Sequence, residues 1–278
     1  MCRWIAYSGG ALAPKELIYN PEHSLIVQSL AATASPQRTN GDGFGIGWYD
    51  HYEFPGLYKQ TSPAWNDANL QDVCTHVVTP MFLAHVRAAT GTPIQRTNSH
   101  PFRHGRWLFV HNGLIRGFEK LKRQLVTTLT EELFLSMTGS TDSEVMFLLA
   151  LHFGLEEDVC EGVARMTGYI EHVGREAGVE DPLQMTLGIA DGKMLYAVRY
   201  SSERDSRTLF HSTSKDNLKD FMRPEDYSRL AAFSGDAIAI VSEPLSDMPH
   251  AWHEIPESTF VTVAAGEVQK QGFRPIAP

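Results

Sequence analysis

Met1-Cys2-Arg3-Trp4-Ile5-Ala6-Tyr7-Ser8-Gly9-Gly10 opens the chain. Residues 3–8 are rich in aromatic and β-branched side chains and stop at a Gly-Gly pair, which predicts a strand starting immediately after the cysteine. Initiator Met is commonly removed before a side chain as small as Cys, which would leave a thiol and a free α-amine on one residue. The unperturbed amine titrates at about 7.7–8.0 and the thiol at about 8.5, so Cys2 could supply both nucleophile and general base. Position alone also allows Cys2 to be an ordinary small residue behind an initiator Met. The remaining cysteines, Cys74 and Cys160, make no CxxC pair and leave an odd count, a poor fit to a disulfide framework or a zinc-thiolate site.

Working outward, the rest of the chain limits the function classes. Its 278 residues are 42% hydrophobic and 21% charged, an ordinary globular balance with enough length to form a core unaided. There are 24 Lys and Arg against 33 Asp and Glu, a net charge of −9. Phosphate-backbone binding depends on clustered cations, so a nucleic-acid partner is not expected. Apolar runs are short and interrupted, and the N-terminus lacks the basic and apolar regions of a signal peptide. A soluble cytoplasmic protein is the expectation, with no membrane partner. No linker, repeat or low-complexity tract divides the chain, so 1–278 is expected to be one domain.

Strands are expected at 44–52, 82–87, 107–111, 185–189, 194–200, 237–241 and 259–263 from their β-branched and aromatic content. Asn20-Pro21 predicts a helix N-terminus running to about Thr33. A second helix is expected over 159–176. Thr141-Asp142-Ser143-Glu144 before an apolar run is a capping box, with Thr141 at the N-cap and Glu144 at N3, leaving Asp142 free. Helices among many strands predict a layered sheet architecture.

Several clusters could carry chemistry. In His85-Val86-Arg87-Ala88-Ala89-Thr90-Gly91, alternation puts His85 and Arg87 on one strand face, and Arg87 could grip a carboxylate with two parallel donors or make an internal salt bridge. Asn112-Gly113 could present an amide and an N–H to an oxyanion, or simply form a type I′ hairpin turn. His85, His100, His104 and His111 invite a metal reading, but Pro101 interrupts any helix through His100 and His104, and no carboxylate stands at a usual spacing. The run from Gly41 to Gly47 leads into a strand pattern and lacks the third glycine of a dinucleotide loop; Walker A and GxSxG motifs are absent.

Taken together, GDGFGIGWY, HVRAAT, NSHPF, HNG, TDSE and Ser242-Glu243-Pro244-Leu245, with Cys at position 2, resemble the class II glutamine amidotransferases of compact stand-alone type, within the N-terminal nucleophile hydrolases. The resemblance spans about the whole chain. It implies an α+β fold, a four-layer αββα sandwich of two antiparallel sheets covered by helices. It further implies Cys2 as nucleophile, Asn112 and Gly113 as oxyanion hole, Arg87 and Thr90 at the glutamine α-carboxylate, and Asp142 at its α-amino group. Arg87 and Asp142 are opposite in sign, as a zwitterionic head requires. The expected activity is hydrolysis of glutamine or a small γ-glutamyl metabolite through a γ-glutamyl thioester, with no metal or organic cofactor. Delivery of ammonia to a separate synthase, and non-catalytic binding of a γ-glutamyl metabolite, are the alternatives.

Overall fold

The strand expected behind Cys2 is β1 (Arg3–Leu12), and alternation along it decides the layering. Trp4 and Ala6 point one way and Ile5 and Tyr7 the other, and both sets are buried. A strand buried on both faces needs a layer on each side. The computed structural model describes residues 2–30, 39–89, 91–218, 222, 226, 228 and 230–278.

Two antiparallel sheets are present. The first has the order β11 (Trp252–Glu254), β9 (Phe210–Ser212), β10 (Ile238–Val241), β1, β4 (Thr79–Val86), β2 (Phe44–Trp48) and β3 (Gly56–Gln60). The second runs β13 (Glu267–Gly272), β12 (Thr259–Ala264), β8 (Leu195–Ser201), β7 (Leu183–Ala190), β6 (Trp107–Ile115) and β5 (Phe102–His104). Trp4, Ala6, Leu83, Leu108, Val110, Ala197, Ile240 and Val261 form the apolar layer between them. Trp4 is fully buried there, and its Nε1 donates to Thr186 Oγ1 of the opposite sheet at 3.1 Å. Ile5, Tyr7, Phe44, Ile46, Phe82 and Val86 carry α1 (Lys15–Ile18), α2 (Leu25–Leu30) and α3 (Ala68–His76).

On the other side, Phe109, Met185, Leu187 and Val198 pack against α4 (Phe118–Thr127), α5 (Glu131–Ser136), α6 (Asp142–His152) and α7 (Val159–Glu176). In α4 the buried residues Phe118, Leu121 and Leu125 follow i, i+3, i+7; in α7, Val159, Val163, Met166, Ile170 and Val173 repeat every three or four positions. The result is the expected helix–sheet–sheet–helix order, with a short further helix, α8 (Lys215–Leu218), beyond β9. Glycines let the sheets approach closely: a Cβ on Gly45 would strike the His100 carbonyl, and one on Gly47 would lie 2.8 Å from Leu108 Cδ1.

Three expectations change. No helix begins at Asn20-Pro21: Asn20 donates its side-chain amide to Glu16 Oε2, and Ser24 Oγ caps α2 by accepting from Val27 N at 3.3 Å. The expected end of that helix, Thr33, lies outside the described residues. Asn112-Gly113 is no hairpin turn. β6 continues through both residues to Ile115, pairing Asn112 with Thr186 and Gly113 with Met185. The capping box is half made: Thr141 Oγ1 accepts from Glu144 N at 3.2 Å, but the Glu144 carboxylate turns to Thr138 N, Thr138 Oγ1 and Gly139 N instead of back to Thr141.

Candidate active site

Continuing the alternation of β1 places Cys2 on the side of Trp4, at the open end of the gap between the sheets. Cys2 is half-buried, and the Ala88 backbone brackets its sulfur. The thiol donates to the Ala88 carbonyl at 3.6 Å, and Ala88 N–H donates to Sγ at 3.4 Å. Burial pushes the Cys2 thiol up; the Ala88 hydrogen bond and the nearby Arg87 guanidinium pull it down, while Asp142 opposes them. Burial prevails, so the resting group is a neutral thiol that needs a base.

Arg87 leaves the end of β4 on the same face as His85, as alternation predicts, and is almost wholly buried. Two of its five N–H groups have partners among the described residues, Thr92 Oγ1 at 2.7 Å and Asp42 O at 3.4 Å. The turn around it is held from the neighbouring segment. Arg87 N donates to Gly43 O, Asp42 N to Arg87 O, and Ala89 N to Asp42 Oδ2. Asp42 was not anticipated as a site residue; its position between Gly41 and Gly43 was the available signal. Thr90, expected in this turn, lies outside the described residues.

Asn112 sits on β6 facing the same gap as Leu108 and Val110. Its side-chain amide makes no hydrogen bond among the described residues, whereas its carbonyl accepts from Thr186 Oγ1 at 3.4 Å. Gly113 is irreplaceable for a spatial reason, since a Cβ there would collide with the Gln184 carbonyl and lie 2.6 Å from His111 Nε2.

The first turn of α6 clamps this strand from both ends. Asp142 Oδ2 accepts from Ile115 N at 2.8 Å, and Ser143 Oγ lies 2.8 Å from His111 Nδ1. Asp142 is therefore not free, because Oδ1 also accepts from Ser143 N and Ser143 Oγ. Three acceptor positions of roughly four are used, leaving room for one further donor. Behind the site lie His85, His100 and His111. The rings of His85 and His100 lie 4.2 Å apart between centroids, tilted by 37°, and burial holds all three below the usual histidine range, His85 at about 3. Among the described residues no three His, Cys, Asp or Glu side chains are grouped to hold a metal ion, and no helix is long and apolar enough to cross a membrane.

The site thus brings together Cys2, Arg87 and Asp142, with Asn112 and Gly113 on the facing sheet. A half-buried thiol, one cation, one anion and an amide with no partner among the described residues can accommodate a zwitterion next to a group open to nucleophilic attack.

Comparison with known proteins shows the family and the fold. A family model described as "Glutamine amidotransferases class-II" matches residues 20–277. A protein of Saccharomyces cerevisiae named "Probable glutamine amidotransferase" is 28% identical, over 95% of this chain and 82% of its own. The gamma-glutamyl-hercynylcysteine sulfoxide hydrolase of Mycolicibacterium smegmatis is also 28% identical, over 96% and 98%. Among solved structures, a glutamine aminotransferase class-II domain protein from Silicibacter pomeroyi superposes with a TM-score of 0.75 at 31% identity, covering 99% of this chain and all of the other. The phosphoribosylpyrophosphate amidotransferase of B. subtilis shares the fold at 17% identity and TM-score 0.64, this chain spanning 49% of that one.

Proposed function

This chain belongs to the class II glutamine amidotransferases, and from that premise we propose that it hydrolyses a γ-glutamyl amide through a thioester on Cys2, releasing glutamate. The observation that carries the reading is the clustering of Cys2 with Arg87 and Asp142, both of which act electrostatically on its thiol. Arg87 binds the α-carboxylate through the N–H groups that have no partner among the described residues, and Thr90 is assigned to the same carboxylate by the family resemblance. Asp142 takes the α-ammonium with its remaining acceptor position.

Removal of Met1 exposes the Cys2 α-amine, which accepts the thiol proton as sulfur attacks the γ-carbonyl carbon. The Asn112 amide and Gly113 N–H stabilise the tetrahedral oxyanion. The C–N bond breaks as the amine returns the proton to the leaving nitrogen. Water then attacks the thioester, freeing glutamate and restoring the thiol. The chemistry calls on no metal or organic cofactor. The name of the M. smegmatis relative describes hydrolysis of a γ-glutamyl compound, which favours water over a synthase-bound acceptor as the second substrate.

Intact-mass measurement, paired with glutamate release from glutamine and from γ-glutamyl amides, tests this reading. Loss of one methionine mass and turnover abolished by C2A are expected. Retained Met1 in a fully active protein, or an active C2A variant, overturns it. Weak glutamine turnover stimulated by a second protein would instead support an ammonia-delivering subunit.

A further inference from the structure

A cavity of about 180 Å³ opens beside Asn112, and none of Cys2, Arg87 and Asp142 lines it. Its walls come from four separate stretches of chain: Arg3 behind the nucleophile, Asn112 on β6, Arg207 and Thr208 before β9, and Ser242-Glu243 after β10. The walls are tied to the nucleophile and to one another. Arg3 donates to the Cys2 carbonyl at 3.0 Å and pairs with Glu243, while Thr208 Oγ1 donates to Ser242 O at 3.0 Å.

Arg3 and Glu243 cancel in charge. Arg207 is different: half-buried, it makes no ion pair or side-chain hydrogen bond among the described residues, although Asp205 is near enough to act on it electrostatically. A half-buried guanidinium without a bidentate partner among the described residues is equipped to bind an anion.

Size separates the possible occupants. At roughly 30 Å³ per water molecule, the cavity holds about six, whereas ammonia needs about the space of one. The leaving nitrogen departs from the carbon whose oxygen Asn112 holds, so the amine half of a substrate lies beside Asn112. We propose that this cavity receives that amine half and that Arg207 binds a carboxylate on it, making the substrate a γ-glutamyl amide of an amino acid or short peptide. This rests on the γ-glutamyl reading above. The bond broken is the same C–N bond, water supplies the hydroxyl and the proton, and the leaving carboxylate stays ionised throughout.

The test compares kcat/KM of the wild-type protein for γ-glutamylglycine, γ-glutamylglycinamide and glutamine. γ-Glutamylglycine should exceed its neutral amide by about tenfold or more, carried mainly by KM, because a charge-assisted bidentate contact is lost with the carboxylate. R207Q should bring the two down to the same value, and R207K should recover part of the difference. The comparison within one protein removes any effect of folding. Equal kcat/KM for the two dipeptides in the wild type, or an equal loss on both in R207Q, overturns the inference while leaving the hydrolase reading intact. No glutamate from any of the three compounds sinks the hydrolase reading, and this one with it.

Discussion

At the scale of single residues, the three cysteines differ in environment more than in chemistry. Cys74 is fully buried in α3 and burial pushes its thiol up to about 12, so it is inert near neutral pH. Cys160 accepts from the Gln271 side chain at 3.2 Å, and burial raises its thiol as well. Of the three, Cys2 is the one on which the Arg87 guanidinium acts. C74A and C160A should therefore keep glutamate release within about twofold of wild type, C2A should lose it, and comparable losses in all three variants would remove the distinction. Asn112 gives a second prediction. Because its amide bonds to nothing in the described protein, N112A should melt close to wild type yet lose roughly 10²–10³ in kcat/KM, about 2.7–4 kcal/mol of transition-state stabilisation. Near-full activity in a folded N112A would leave oxyanion binding to backbone groups. G113A should behave in the opposite way. It forces a methyl against the Gln184 carbonyl inside the β6–β7 ladder, so the damage should be to stability, on the order of 1–3 kcal/mol by thermal or denaturant melting.

At the scale of elements, the first turn of α6 shows how a helix can be capped by one residue and leave the next carboxylate to other partners. Thr141 alone caps the helix, and Glu144, almost wholly buried, satisfies Thr138 and Gly139 in the loop before it. Asp142 joins α6 to β6 at Ile115 while keeping an acceptor position toward the site. D142N keeps the size and part of the hydrogen bonding but removes the charge, so it should raise KM for glutamine far more than it lowers Tm. T141A should do the reverse, losing about 1 kcal/mol of stability with KM little changed. If D142N and T141A fall together in both measurements, Asp142 is a structural link only. Thr141 was legible in the sequence because capping is a local signal. The route of the Glu144 carboxylate was not, because its partners are fixed by the loop at 138–139. The same division runs through the strands. Apolar central strands such as β1, β6 and β7 were expected, whereas β13, whose residues Glu267-Val268-Gln269-Lys270-Gln271-Gly272 are nearly all exposed, carries no hydrophobic pattern and is set by pairing with β12. Asn112-Gly113 looked like a turn because Asn-Gly commonly is one. Its true environment, a glycine pressed against a neighbouring strand, depends on β7, some seventy residues later. At the site, opposite charges on Arg87 and Asp142 could be read directly, but the contacts of Asp42 with Arg87 and Ala89 depend on β2 lying beside β4.

At the scale of the whole molecule, the sheet order places β1 between β4 and the late strand β10, so Cys2 hangs from the interior of a sheet completed by the last third of the chain. That arrangement puts a histidine-rich layer in the interior behind the site. Trp4 pairs with His85 across β1 and β4, and Gly45 pairs with His85 from the other side. His100 lies against His85 with its ring tilted, and its ring nitrogens make no hydrogen bond among the described residues, so a proton on it would be poorly compensated. In the folded state His85 titrates at about 3 and His211 at about 4, both because burial disfavours the imidazolium, and His100 and His111 are lowered for the same first reason. In the unfolded chain each returns to about 6.5. Above that value neither state is protonated and the histidines leave stability unchanged. Between about 6.5 and the folded values the unfolded state binds more protons, so stability falls as pH falls. At pH 5 an unfolded His85 lies about 1.5 units below its own pKa while the folded one stays neutral, a loss of roughly 2 kcal/mol at 1.36 kcal/mol per unit. Denaturant melts of the wild type from pH 7.5 to 4.5 should show this slope, and H85N, though less stable at pH 7.5 through lost packing, should show a shallower one. A wild-type stability that stays level from pH 6.5 to 4.5, or an H85N slope as steep as wild type, would mean that His85 is protonated in the folded protein and that the layer behind Cys2 carries positive charge.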